Sequence, residues 1–164
     1  MFKGTRPEDG QTPTIHTASA LDAQESAHRT SNVSEEQKTL RHILVVEDDI
    51  SLANLEAGIL AAHGYAVTQV YNGEQAITAL YQSTPDLVVL DFELPGKLTG
   101  LDVLQDLRLH ASIPVLFTSS EEIALRRYMR ASGESRSTLD HLSKPYSTQT
   151  LLLRVQRMLT IAPQ

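Results

Sequence analysis

Residues 85–96 read Pro85-Asp86-Leu87-Val88-Val89-Leu90-Asp91-Phe92-Glu93-Leu94-Pro95-Gly96. The run from Leu87 to Leu90 has no polar face. A short apolar stretch of this kind, rich in Val and bounded by a proline, suits a strand covered on both sides, as strands of parallel sheets are. Asp91 follows directly. A carboxylate at the end of a buried strand is costly unless something compensates it, so its presence there needs a reason.

Working outward, the same strand signal recurs at His42–Val46 and Pro114–Phe117, and less strongly at Tyr65–Tyr71 and Leu139–Ser143. Helical patterns lie between the strands. Ser51–Ala62 offers Leu52, Leu55, Ile59 and Leu60 as its apolar face, with Gly64 as the stop. Glu74–Gln82 follows the second strand, and Leu101–Leu109 follows Thr99, a cap paired with Asp102. Ser119–Ala131 places Glu121 and Glu122 in its first turn and Arg126, Arg127 and Arg130 later, as the helix dipole favours. Thr148–Leu159 presents Leu151, Leu152, Val155, Met158 and Leu159. Five βα units predict an α/β fold, a doubly wound parallel five-stranded sheet with helices on both faces. Ligands of such sheets bind where loops leave the carboxyl ends of the strands.

The rest of the chain bounds the possibilities. Residues 1–40 are rich in Ser, Thr, Gln, Glu, Ala and Pro and nearly lack large apolar side chains. Such a segment buries too little surface to offset ordering, so it is expected to be a mobile tail ahead of a single domain at 41–161. Ser34-Glu35-Glu36-Gln37 has the form of a capping box, which would allow a short helix before the first strand. The net charge of −6 disfavours direct nucleic-acid binding, which draws on Lys and Arg. With no cysteine there are neither disulfides nor thiolate metal sites. No signal-peptide pattern and no run near the ~18 apolar residues of a membrane span is present, so a cytoplasmic protein without membrane contact is expected.

The carboxyl ends of the expected strands carry the chemistry. Strand one runs into Glu47-Asp48-Asp49, strand three into Asp91, strand four into Thr118-Ser119-Ser120, and strand five into Lys144-Pro145. Taken singly, each has an ordinary explanation: a solvated acidic loop, a capping hydroxyl, a proline that starts a helix. Together, in order and at strand ends, they converge on one edge of the sheet. Carboxylates gathered in one place repel unless a cation joins them, and hard oxygen ligands of this kind suit Mg²⁺ or Mn²⁺.

At this point the sequence resembles the receiver domains of two-component response regulators. The resemblance runs from residue 42 to about 160. It is carried by Ile43-Leu44-Val45-Val46-Glu47-Asp48-Asp49, by Leu87 through Gly96, by Val115-Leu116-Phe117-Thr118-Ser119, and by Lys144-Pro145. It implies a (βα)5 flavodoxin-like, CheY-like sheet of order 2-1-3-4-5. It also implies roles. Asp91 would be the nucleophile that takes a phosphoryl group from a histidine kinase or phosphotransfer protein, in a signalling domain that is not otherwise an enzyme. Asp48 and Asp91 would ligate the metal, with Glu47 in support and the Glu93 carbonyl completing the set. Lys144 would pair with the carboxylate and then with the phosphoryl oxygens, and Thr118 would report the modification. The alternative is a receiver-like scaffold that works without phosphorylation.

Four features depart from the family pattern. His141 occupies a switch position that is usually aromatic. The loop after Asp91 holds an extra residue within Lys97-Leu98-Thr99-Gly100. The connection into the fourth strand is short, and Gly133–Leu139 is long. No further domain is expected after residue 160, so output is assigned to a partner protein on the face of the fourth helix, fifth strand and fifth helix. Arg126, Arg127, Arg130, Arg154 and Arg157 are expected to offer that face to an acidic partner, tuned through Thr118 and His141.

Overall fold

The computed structural model describes residues 39–161. The expected tail over 1–40, with its capping box at Ser34–Gln37, therefore lies outside the described residues except for Thr39 and Leu40. The strands are β1 (His42–Val46), β2 (Ala66–Val70), β3 (Leu87–Asp91), β4 (Val115–Ser119) and β5 (Leu139–Ser143). They alternate with α1 (Ile50–Ala62), α2 (Gly73–Gln82), α3 (Gly100–His110), α4 (Glu122–Ser132) and α5 (Thr148–Ile161). All strands pair in parallel in the order β2-β1-β3-β4-β5, as expected.

Alternation along the central strands divides the core. Leu44, Val46, Val88, Leu90 and Phe117 face Ala76 of α2, Val103 and Leu104 of α3, and Leu125 of α4. Ile43, Val45, Leu87, Val89 and Leu116 face Leu60 of α1 and Leu151, Val155 and Met158 of α5. Both faces of β3 are therefore buried, which is why its sequence carries no polar alternation.

Two expectations need correction. The buried face of α1 is Ala53, Glu56, Ala57 and Leu60, while Leu55 is 51 % exposed. The stripe is rotated from the one that its large apolar residues suggest, and it contains an acid. Helix α4 begins at Glu122 and not at Ser119. The Glu93 carboxylate accepts hydrogen bonds from Ser119 Oγ (3.0 Å), the Ser120 amide (2.8 Å) and the Glu121 amide (2.7 Å). These hold the intervening residues in a loop.

The unusual connections are each accommodated. The extra residue after Asp91 seats Leu98 on Gly73, where a Cβ would lie 2.6 Å from the Leu98 Cβ and carbonyl oxygen. Thr99 caps α3 in a reciprocal capping box with Asp102, as expected. The short α3–β4 turn and the long α4–β5 loop are joined by Arg108. Its guanidinium pairs with Glu134 at 2.8 Å and donates to the carbonyls of Ile113 (2.8 Å) and Thr138 (3.1 Å).

Gly100 fixes the distance between α3 and the end of β3. A Cβ there would stand 2.1 Å from the Asp91 carbonyl oxygen, and main-chain atoms cannot swing aside. Gly100→Ala should therefore lower unfolding free energy by about 1–3 kcal/mol, the usual range for overpacking a tight site. Urea denaturation of the variant beside the wild type measures it.

Candidate functional site

Each strand delivers its residue by plain geometry. β1 ends in Val46, and the three acids after it separate. Glu47 turns inward and is 2 % exposed, Asp48 is exposed, and Asp49 caps α1 by accepting from the amides of Ser51 (2.8 Å) and Leu52 (3.1 Å). Asp91, at the end of β3, is 3 % exposed and stands opposite Thr118 in the β3–β4 register. The Lys144 amide donates to the Ser119 carbonyl at 2.8 Å, which carries the β4–β5 register one residue beyond the strand. That contact brings the ammonium back over the sheet edge.

The result is a compact charged cluster. Lys144 Nζ donates to Glu47 Oε2 at 2.7 Å and to Asp91 Oδ2 at 2.9 Å. The other Asp91 oxygen accepts from the Glu93 amide at 2.9 Å. Glu47, Asp48 and Asp91 each offer an oxygen, all within 4.8 Å of one another. At that separation two ionised carboxylates repel by about 3.5 kcal/mol at an effective dielectric of ~20. One ammonium does not balance three such pairs. The donor set therefore fits a hard divalent cation, with Asp48 as its open side.

Burial opposes the Lys144 ammonium, but the hydrogen bonds and charges of Glu47 and Asp91 outweigh it and hold its pKa above the ordinary lysine value. Burial, reinforced by the Asp91 charge, pushes the Glu47 carboxyl up against the pull of Lys144.

Glu47, Asp48, Asp91 and Lys144 thus come together, with Thr118 beside Asp91 and 1 % exposed. Two other expected residues stand differently. The Glu93 carboxylate turns to the β4–α4 loop, so only its main chain faces Asp91. His141 lies on β5 opposite Phe117 and lines a concavity of about 430 Å³ with Arg126, Met129, Arg130, Glu134 and Arg136. Burial holds its imidazole below the usual value, with Arg126, Arg136 and Arg154 adding to the effect and Asp140 opposing it. Nδ1 of the ring is buried without a partner.

The expected arginine face is also reduced. Arg154 (2.7 Å) and Arg157 both bind Asp140, which is 0 % exposed, so these two cations are engaged inside the domain. Arg126 pairs with Glu122 one turn earlier on α4.

Sequence reasoning missed a buried acid on α1. Glu56, on α1, is 1 % exposed and accepts a hydrogen bond from the Tyr146 hydroxyl. Its one available signal was an acid standing at the i+3 position of the Ala53–Ala57–Leu60 stripe. Burial pushes this carboxyl up to about 7, against the Tyr146 hydrogen bond that pulls it down. The folded chain therefore keeps a proton that the unfolded chain loses above its ordinary value of 4.5. Stability should fall as pH rises from 4.5 to about 7, by up to about 3 kcal/mol from this group, and change no further above that window. Glu56→Gln, which retains an acceptor for Tyr146, should remove this component. Thermal melts of both proteins across the window provide the comparison.

Comparison with known proteins agrees with this arrangement. The family model of the response regulator receiver domain matches residues 43–156. Sensory transduction protein RegX3 of Mycolicibacterium smegmatis is 33 % identical over 117 residues, covering 71 % of this chain and 50 % of RegX3. RegX3 of Mycobacterium tuberculosis is 32 % identical over the same length, with the same coverage. The chain spans about half the length of these curated relatives. Among solved structures, the receiver domain of NtrX from Brucella abortus matches with a TM-score of 0.65 at 30 % identity, covering 73 % of this chain and 99 % of that domain. The receiver domain of Francisella response regulator 1452 matches with a TM-score of 0.65 at 25 % identity, covering 73 % and 97 %. With its acidic pocket, its lysine and its 2-1-3-4-5 sheet, the chain belongs to the response regulator receiver domain family of two-component signalling.

Proposed function

We propose that the chain accepts a phosphoryl group on Asp91 from the phosphohistidine of a histidine kinase or phosphotransfer protein, and signals the change through a protein–protein surface. The observation that carries this is Asp91 itself. Its carboxylate is buried at the end of an apolar strand, held by Lys144 and the Glu93 amide, and flanked by Glu47 and Asp48. Structural stability alone does not call for such a cluster, since apolar residues of similar size would pack there at lower cost.

In the transfer, an Asp91 oxygen bonds to phosphorus as the phosphorus–nitrogen bond of the donor breaks and the imidazole leaves. Lys144 already points its ammonium at the nucleophile and is placed to follow the charge onto the phosphoryl oxygens. The Glu93 amide fixes the orientation of the carboxylate. Asp48 and Asp91 would hold Mg²⁺ or Mn²⁺, with Glu47 in support and the Glu93 carbonyl as a further oxygen. Such a cation, when bound, neutralises charge on the phosphoryl oxygens and orients them. Thr118, opposite Asp91, is the hydroxyl that would bond the new phosphoryl group. Output passes through α4, β5 and α5, where Arg127, Arg130 and Arg136 have no carboxylate partner among the described residues. The domain is a phosphoacceptor whose only chemistry is gaining and losing this group.

Incubation with acetyl phosphate and Mg²⁺ should add the mass of one phosphoryl group, and Asp91→Asn should abolish the gain with the fold retained. A gain that survives in Asp91→Asn refutes the assignment. Chelation of the metal should stop uptake, and Asp48→Ala should slow it by about 10²-fold, as expected when a preorganised charge partner is lost. Intact-mass time courses with and without EDTA test both. Lys144→Arg should restore uptake only in part, because a planar fork does not reproduce a compact ammonium.

A further inference from the structure

The cations of this acidic chain are not spread evenly. In a protein of net charge −6, Arg126, Arg127, Arg130 and Arg136 all fall on α4 and the loop that follows it. Two concavities adjoin them. The one of about 430 Å³ is lined from α4, from the α4–β5 loop and, through His141, from β5, an edge strand of the sheet. The other, of about 560 Å³, is lined by α4 alone and includes Ile123 and Arg127. Arg126 and Arg130 line both, so the two share a wall of guanidinium groups. Little within the domain answers this charge. Glu134, the one acid in either lining, is taken by Arg108 through contacts of 3.1, 3.1 and 2.8 Å. Arg126 pairs with Glu122 one turn earlier, and exposed pairs of this kind hold an arginine only weakly. Arg127, Arg130 and Arg136 form no ion pair among the described residues.

We propose that the two concavities of α4 are the docking site for an acidic peptide segment of a partner protein, with its carboxylates among Arg126, Arg130 and Arg136 and its apolar side chains on Ile123 and Met129. This rests on the reading that this side of the domain meets a protein, and not on Asp91 being the acceptor. Guanidinium groups gathered around one hollow repel each other, and their planar forks match carboxylate oxygens two at a time. A single small anion cannot meet cations distributed over two hollows, whereas a peptide carries several carboxylates on one chain. Ile123, 80 % exposed in the second concavity, and Met129 in the first offer apolar contact that an inorganic ion does not use. A long polyanion such as duplex DNA would meet the acidic remainder of the surface, which a short segment avoids. The arginines of α5 contribute nothing directly, because Asp140 holds Arg154 and Arg157.

His141 reports on occupancy from inside the first concavity. Its ring lines the hollow, and its Nδ1 is buried without a partner. Burial, with the charges of Arg126, Arg136 and Arg154, holds the imidazole below its usual value. A carboxylate brought in among these arginines offsets their charge and favours the protonated ring, so docking raises the His141 midpoint.

The test is NMR of the full chain without phosphodonor, following the His141 imidazole and the arginine Nε–H signals. The probe is a capped synthetic peptide of alternating glutamates and leucines. Its glutamine analogue, inorganic phosphate and a short DNA duplex are titrated at the same ionic strength. The glutamate peptide should shift Arg126, Arg130 and Arg136 saturably and raise the His141 midpoint, and the glutamine analogue should do neither. Affinity should fall by about tenfold between roughly 0.05 and 0.5 M salt, as screening of exposed charges requires. Arg130→Glu should weaken the peptide by about tenfold or more. Lys97→Glu changes the net charge equally in the exposed loop after Asp91, and should leave binding as it was. Ile123→Ser should weaken the peptide several-fold through the lost apolar contact. The proposal is overturned by the absence of any shift, by phosphate acting as strongly as the peptide, or by tighter binding of the duplex. An equal loss in Lys97→Glu, or an unchanged affinity in Ile123→Ser, overturns it as well. A separate sample given acetyl phosphate and Mg²⁺ tests the acceptor. Absence of any mass gain there refutes Asp91, while docking stands or falls on the titration of the unmodified protein.

Discussion

Lys144 reaches across the carboxyl edge of the sheet to two buried carboxylates, and the arrangement of that edge depends on this contact. Glu47 and Asp91 come from strands that neighbour each other in the sheet, so parallel pairing forces their charges together. Neither is exposed enough for water to screen it. The ammonium is delivered from β5, two strands beyond Asp91, by a main-chain contact with Ser119 that extends the β4–β5 ladder. The site is thus a product of sheet order, since the adjacency of β1, β3, β4 and β5 is what brings these residues together. What remains unbalanced after Lys144 has acted is the negative charge that suits the pocket to a cation.

The sheet was legible in the sequence because burial on both faces removes alternation from β1, β3 and β4, and these runs are too short and too rich in β-branched residues to be buried helices. β1 and β5 begin and end where the pattern places them. The acids and the lysine were legible because topology sends every strand end to the same edge. What could not be read depends on contacts between residues distant in sequence. The residues just before α4 are held by Glu93, which lies 26 residues before Ser119 and accepts from its hydroxyl and from the Ser120 and Glu121 amides. The rotation of α1 follows from Glu56, whose phenol partner lies 90 residues away. Helical periodicity alone favoured Leu55 over an acid for the buried face, and only the tertiary pairing reverses that preference.

The arginine-bearing face of α4 and α5 shows the same limit. Charge counting along α4 and α5 gives five arginines but does not reveal that Asp140 is turned beneath α5 to take up two of them. Arg108 likewise uses one guanidinium to tie the short and the long connection around β4 to each other, so the two departures in loop length form one feature. The basic character that remains is confined to α4 and the loop after it, beside His141.

The manner in which α4 is attached has a consequence for how the domain transmits a signal. Of its side chains only Leu125 is fully buried, Ile123 is 80 % exposed, and no side chain caps its first turn. Elements with so little buried surface open at free energies well below that of global unfolding. The loop in front of the helix is nevertheless gripped by Glu93, whose amide in turn holds Asp91. Local order in α4 is therefore linked to Asp91 through two residues of backbone. A modification that shifted the Asp91–Glu93 turn would change the fraction of time this helix spends folded, and a partner that bound only the folded helix would read that fraction as affinity.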